Sequence, residues 1–350
     1  MTSTQPVFAS VVRDEFAPST VYLNSASYGL LPKSVLAAVN TAEEQRMRGE
    51  FDIPGVDPII DECRAAFGRL TGFEAGQVAV GSQVSQLVGL VAQSLRPGAQ
   101  VVVPEHEFNS VLWPFLVRAD LEVRVVPLAE LPGAIRAGDD VVAAAVVQSA
   151  DGAVLDVAAT VAAARAHGAR VLLDVSQAAG WLPVRDTGAD WIVSVGYKWL
   201  LGPKGSAFLA GTPAALDDLT PAAAGWYAGY SPWETCYDGP LRLVEDARRF
   251  DVAPVWPAWI GQRPAFELIE RIGVETIHRH DVALADRLRK GLGLPEGNSA
   301  VVSLEVSEDA LARVNSARIV GAMRAGRLRL ACHLYNTEDD IDRVLDVLAG

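Results

Sequence analysis

Two charged side chains of opposite sign punctuate the most apolar part of the chain. Asp174 closes the run 171–174 in VLLDVSQAAG, and Lys198 follows the run 191–195 in DWIVSVGYKWLLGPKG, 24 residues later. A carboxylate at the end of a buried strand is costly without a cationic partner. A lysine just past a strand end is partly desolvated, which lowers its pKa and makes its amine nucleophilic toward an aldehyde. A protonated pyridine nitrogen is one partner that would satisfy Asp174, and the ion pair would turn that ring into an electron sink for a carbanion. Gln177, three residues on, could reach the ring's phenolic oxygen. Taken singly, Asp174 reads equally well as a helix cap and Lys198 as a solvated surface lysine. Order and spacing together single out the chemistry.

The elements around these residues alternate short apolar runs with helical stretches, the rhythm of an α/β fold. Residues 78–80, 101–103, 123–126, 141–147, 171–174, 191–195 and 207–210 read as strands, and their continuous β-branched character suits a mostly parallel seven-stranded sheet buried on both faces. Residues 85–95 and 156–167 carry helical period between them. Binding loops then fall at the strands' C-terminal ends. From about 220 to 259 the pattern changes to a loop rich in Gly, Pro and Trp. Helices at 265–272, 274–292 and 338–348 and strands at 301–306 and 327–332 follow. The expected organisation is an N-terminal arm (1–20) joining a small domain, a large domain (21–260) and a small C-terminal α/β domain (261–350).

Composition narrows the partners. A chain of 350 residues with formal charge −13 and no basic block disfavours nucleic acid and anionic membranes. No apolar run approaches the roughly 20 residues of a membrane helix. The start MTSTQPVFASVVRDEF lacks the charged and apolar regions of a signal peptide. Cys63, Cys236 and Cys332 are widely spaced, odd in number and outside any CxxC pattern, which indicates neither disulfides nor a metal site. A reducing cytoplasm and a small-molecule substrate fit these features.

The strand ending Asp-x-x-Gln, followed by Tyr-Lys-Trp and a Gly-Pro-x-Gly turn, resembles the class V aminotransferase and cysteine desulfurase group of fold-type I enzymes dependent on pyridoxal 5'-phosphate (PLP). The resemblance runs from YLNSASYG to LYNTEDD. It implies Lys198 as the residue that holds PLP covalently, Asp174 on the ring nitrogen, and a phosphate site at Ser82, Gln83 and Val84, where a strand opens a helix. It places Phe108 of PEHEFNS over the ring, with His106 as the fallback. It puts Asn24 near the substrate and gives Arg329 of GRLRLACHLYNTEDD the substrate carboxylate, which suits a planar bidentate donor. It further implies a homodimer whose partner copy brings residues 249–254 to the phosphate. The chain departs from the family pattern in three places. Val195 stands where a phosphate-binding hydroxyl is usual, with Ser194 one step earlier. The segment Arg249 to Pro254 lacks a threonine, and Ser149 replaces the usual Asn.

The family's desulfurases carry a sulfur-accepting cysteine upstream of the carboxylate arginine, and residues 310–324 have none. The aromatic stretch with Trp226 and Tyr227 is similar to the carbon-sulfur lyases of ergothioneine biosynthesis. That similarity implies β-elimination from a cysteine sulfoxide conjugate, with both aromatics stacking on a flat leaving group. The same aromatics could instead sit in a dimer interface or in the core. Transamination and an isopenicillin-N-epimerase-like reaction stay open, as does a non-catalytic PLP-binding homologue, because fold does not choose a reaction.

Overall fold

A computed structural model describes residues 4–350; the first three residues of the expected arm lie outside the described residues. All seven apolar runs of the first part form one sheet, in the spatial order Val78–Gly81, Ala207–Gly211, Trp191–Val195, Arg170–Asp174, Asp139–Ala145, Gln100–Pro104 and Glu122–Val126. Only Ala207–Gly211 runs against both its neighbours; the other pairings are parallel. The two-residue alternation of strand side chains divides these runs between two cores. Val142, Ala144, Leu173 and Ile192 enter one, and Val141, Ala143, Leu172 and Val193 enter the other. Burial on both faces explains why the runs read as unbroken apolar stretches.

Two of the boundaries that differ from expectation bear on the site. The strand expected at 141–147 ends at Ala145, because 146–155 folds into a hairpin in which Gln148 donates to the Ala153 carbonyl (2.8 Å) and Leu155 to that of Val146 (2.9 Å). That turn carries Ser149. The helix expected from 265 begins at Trp256, with Pro257 in its first turn, where a missing N–H costs nothing. Trp259, Ala265, Phe266 and Ile269 of this helix pack into the same core as the sheet.

The C-terminal part builds a second, three-stranded antiparallel sheet from Ala322–Arg324, Arg327–Ala331 and Val301–Leu304. Leu328 and Leu330 point into a small core with Leu284, Leu288, Ile341 and Val344 from the helices Val274–Gly291 and Glu338–Ala349. Val21–Tyr22 pairs in parallel with Ile319–Val320, which ties the segment after the arm to this unit.

Candidate active site

Asp174 ends its strand on the C-terminal rim of the large sheet, 5% exposed. Its Oδ1 accepts the Ser176 amide (2.8 Å). Burial holds its carboxyl above the usual range, against the opposing pull of Ser176 and Lys198. Among the described residues it has no ion-pair partner. Lys198, 8% exposed, stands past the next strand. Burial is the largest influence on its amine and lowers its pKa to about 8; Asp174 pulls up, and Arg329 and Arg324 pull down. The ring of Phe108, the residue that precedes the helix Asn109–Leu116, lies 5.3 Å from Lys198 Nζ. Gly29 makes this loop possible. Its amide donates to the Tyr197 carbonyl (2.9 Å), and a side chain there would collide with the Lys198 carbonyl. Three residues on, buried Leu201 is held at φ +58°, a left-handed conformation that a branched side chain seldom adopts.

A hydrogen-bonded chain of buried and half-buried groups links Trp199, beside the amine, to Arg329. Trp199 Nε1 donates to Gln177 Oε1 (2.8 Å), and Gln177 Nε2 donates to the Ala26 carbonyl (2.8 Å) and Ser149 Oγ (3.2 Å). Arg329 Nη1 donates to Ser149 Oγ (3.1 Å) and to the Ser149 carbonyl, and its Nη2 donates to Ser27 Oγ (2.8 Å). The guanidinium is 1% exposed, its Nε has no partner, and burial followed by the charge of Arg324 lowers its pKa to about 10. A buried cation without a counter-ion is a site waiting for an anion. Asn24 bridges to Ala331, and its Oδ1 is buried without a partner.

Other expected residues stand differently. Ser82, Gln83 and Val84 lead into the helix Val84–Ser94 on the same rim, and no side chain caps its N-terminus. His106 is exposed in a turn at φ +59°. Ser194 is fully buried and spends its hydroxyl on the Val195 carbonyl (3.2 Å). Trp226 and Tyr227 are placed away from this cluster within one chain. Trp226 packs on Trp233 (5.0 Å), and Tyr227 donates to Asp57 Oδ1 (2.7 Å). Asp251, in the segment Arg249 to Pro254, is fully buried in an ion pair with Arg64 and accepts the Val80 amide (2.7 Å).

Several residues of the site were not singled out by their sequence. Ser27 and Ser176 are the partners of Arg329 and Asp174. Glu107 accepts the Ala145 amide (2.7 Å) and its neighbour Phe108's amide (2.7 Å), and burial raises its pKa to about 7. His333 is fully buried between Asp281 (Nδ1 to Oδ2, 2.9 Å) and the Trp199 carbonyl (3.2 Å), and so backs the lysine loop from the C-terminal unit. Only Ser176, beside the motif's Asp174 and Gln177, carried a local signal.

An open α/β sheet with a buried acid and a buried amine on its carboxyl rim is the arrangement expected of a fold-type I PLP enzyme. The family model Aminotransferase class-V matches residues 21–318, and the chain belongs to that family. It is 27% identical to isopenicillin N epimerase of Streptomyces clavuligerus, over 95% of this chain and 94% of the relative. It is 29% identical to YcbU, an uncharacterised aminotransferase of Bacillus subtilis, over 82% of each. Among solved structures it superposes on a cystine C-S lyase, C-DES, bound to cysteine persulfide (TM-score 0.85, 21% identity, 95% of this chain and 97% of that one). It also superposes on a cysteine desulfurase of Thermococcus onnurineus (TM-score 0.84, 23% identity, 97% and 96%). The protein is a PLP-dependent enzyme. The residues present fit that cofactor: a buried carboxylate without a cation, a buried amine without a carboxylate in contact, a ring beside the amine and an uncapped helix N-terminus on the same rim. Among the described residues no cluster of metal ligands and no helix long and apolar enough to cross a membrane occurs.

Proposed function

We propose that this enzyme catalyses carbon-sulfur β-elimination on a cysteine conjugate, such as a cysteine sulfoxide, with release of pyruvate and ammonia. The observation that carries this reading is that within the chain no cysteine among the described residues contacts Lys198 or Arg329, and two of the three are buried. Cys332 is fully buried with its thiol pushed up by burial, Cys63 is buried against the Trp259 carbonyl, and Cys236 lies beside Trp233 in the aromatic loop. Sulfur cut from the substrate then leaves with the conjugate rather than on the protein.

In this reading Lys198 would hold the cofactor, with Asp174 available to its ring nitrogen, Gln177 and Ser149 to its phenolic oxygen and Phe108 to its face. The amides from Ser82 to Val84 would hold the phosphate. PLP, when bound, supplies an electron sink for charge developing at the substrate's Cα. Arg329, backed by Ser27 and Ser149, grips the substrate carboxylate and fixes which Cα bond faces Lys198. The Lys198 amine, its basicity lowered toward neutrality, removes the Cα proton as general base. The working unit is a cytoplasmic homodimer in which the segment Arg249 to Pro254 and the aromatic loop of one copy stand beside the site of the other. A division at 21–260 and 261–350, with the arm 1–20 on the small unit, belongs to the same reading. Likeness to isopenicillin N epimerase along the whole chain favours a second reading, inversion or transfer at Cα.

Incubation with a cysteine sulfoxide conjugate and no keto acid separates the two. Steady pyruvate and ammonia are expected, unchanged by Cys236→Ser. A stall after one turnover, relieved by added pyruvate, makes the enzyme an aminotransferase. Loss of optical activity without pyruvate makes it an epimerase.

A further inference from the structure

The hairpin that carries Arg329 carries two more arginines on the same face. Ala322 pairs with Arg329 and Arg324 with Arg327. Alternation then sets Arg324, Arg327 and Arg329 on one side, while Leu328 and Leu330 enter the small core. Like charges opposite each other destabilise a strand pair, so the arrangement costs stability. Arg327 is compensated by Glu305 at 2.6 Å. Arg324 and Arg329 have no carboxylate partner among the described residues. Both reach the same hydroxyl instead: Ser27 Oγ accepts Nη2 of Arg329 at 2.8 Å and Nη2 of Arg324 at 3.3 Å. The two-residue turn Ala325-Gly326, with φ +47° and +77°, fixes where Arg324 leaves the strand. Arg329 is buried and Arg324 exposed, so the pair forms a cationic lane from the floor of the site to its mouth. The carboxylate of an amino acid held by Arg329 would fill the inner end and leave the outer charge unmatched.

We propose that Arg324 selects substrates that carry a second carboxylate at the far end of the side chain, with Ser27 bridging the two arginines. This rests on Arg329 as the clamp for the amino acid's own carboxylate. After burial, Arg324 is the influence that lowers the Arg329 pKa, and it also acts on Lys198, which places its charge at the site. A substrate with an acidic tail would restore charge balance along the lane, and recognition would weaken with added salt because the outer end is in water.

Calorimetric titration of the PLP-loaded enzyme with adipate and with valerate tests this without requiring turnover. Adipate is expected to bind about tenfold more tightly than valerate, equivalent to about 1.4 kcal/mol. Arg324→Gln should erase that difference by weakening adipate far more than valerate, while Arg324→Lys should retain part of it. Equal binding of the two acids to the native enzyme overturns the proposal, as does an Arg324→Gln variant that weakens both alike. Unchanged valerate binding in Arg329→Ala would instead remove the carboxylate clamp on which the proposal stands.

Discussion

The rim around Lys198 and the aromatic loop at 220–245 are both irregular, yet they are held in opposite ways. On the rim the polar groups of Gln177 are spent on Ala26, Ser149 and Trp199, and Arg329 is fixed by Ser27 and Ser149, all with little exposure. The aromatics of the loop share one carboxylate: Tyr227 Oη and Trp233 Nε1 donate to the two oxygens of Asp57, each at 2.7 Å. Beyond that anchor Tyr230, Tyr237 and Leu241 are 80%, 82% and 81% exposed. A network of this kind fixes the Arg329 guanidinium before a substrate arrives while leaving its Nε unpartnered, which is how electrostatic stabilisation is pre-organised. Outward aromatics of this kind offer a surface that a partner or substrate could cover. In the proposed reading the first region sets how bonds are made and broken, and the second is suited to choosing what is bound.

The sharpest break in that contrast is Lys198→Ala. Loss of the base alone should slow turnover on the order of 10²–10⁴-fold, and borohydride reduction followed by peptide mapping should no longer place cofactor on the peptide containing residue 198. In the native protein, the amine that attacks the aldehyde must be unprotonated. Because its pKa is lowered to about 8, loading of cofactor-free protein should quicken as pH rises toward 8 and level off above it. Loading that is already at its plateau at pH 6 would contradict the assignment. Arg329→Ala comes next, at about 2–5 kcal/mol in kcat/KM, since a buried charged hydrogen bond is lost to both substrate and transition state. A change confined to KM would mean that the guanidinium binds ground state and transition state equally.

How much of this could be read from sequence follows from locality. The seven strands were legible because sheets buried on both faces need unbroken apolar runs, and Asp174 and Lys198 stood out as the charges ending them. Arg329 was found through its motif, but its partner Ser27 lies 302 residues away in sequence, and no period or spacing links them. Arg324 reads as one of many arginines until the hairpin register puts it beside Arg329. Glu107 and His333 lack local signals because what distinguishes them is burial. Trp226 and Tyr227 show the reverse case. Their residue types suggested a stacking surface for a substrate, yet within one chain their contacts are with Asp57 and Trp233, and the sequence could not say whose site they face.

Trp226→Ala is the smallest expected effect, and it bears directly on that question. Within the chain the ring packs on Trp233 at 5.0 Å and Tyr227 at 5.3 Å, and aromatic pairs of this kind are worth about 0.5–1.5 kcal/mol each. Asp57 still anchors Tyr227 and Trp233, so the variant should fold with a modest loss of stability. If the loop reaches a partner copy's site, the KM for a conjugate with a flat aromatic leaving group should rise up to about tenfold, the equivalent of one stacking contact of roughly 1.4 kcal/mol. The KM for a cysteine conjugate with a small aliphatic group should stay as it was, because the carboxylate clamp is untouched. The same comparison should depend on protein concentration, with the preference for aromatic conjugates fading as the enzyme is diluted below its dimerisation constant. Equal changes for both substrates, or a preference that survives dilution in sedimenting monomers, would place the loop on its own chain's surface and leave the lane from Arg329 to Arg324 as the sole source of selectivity.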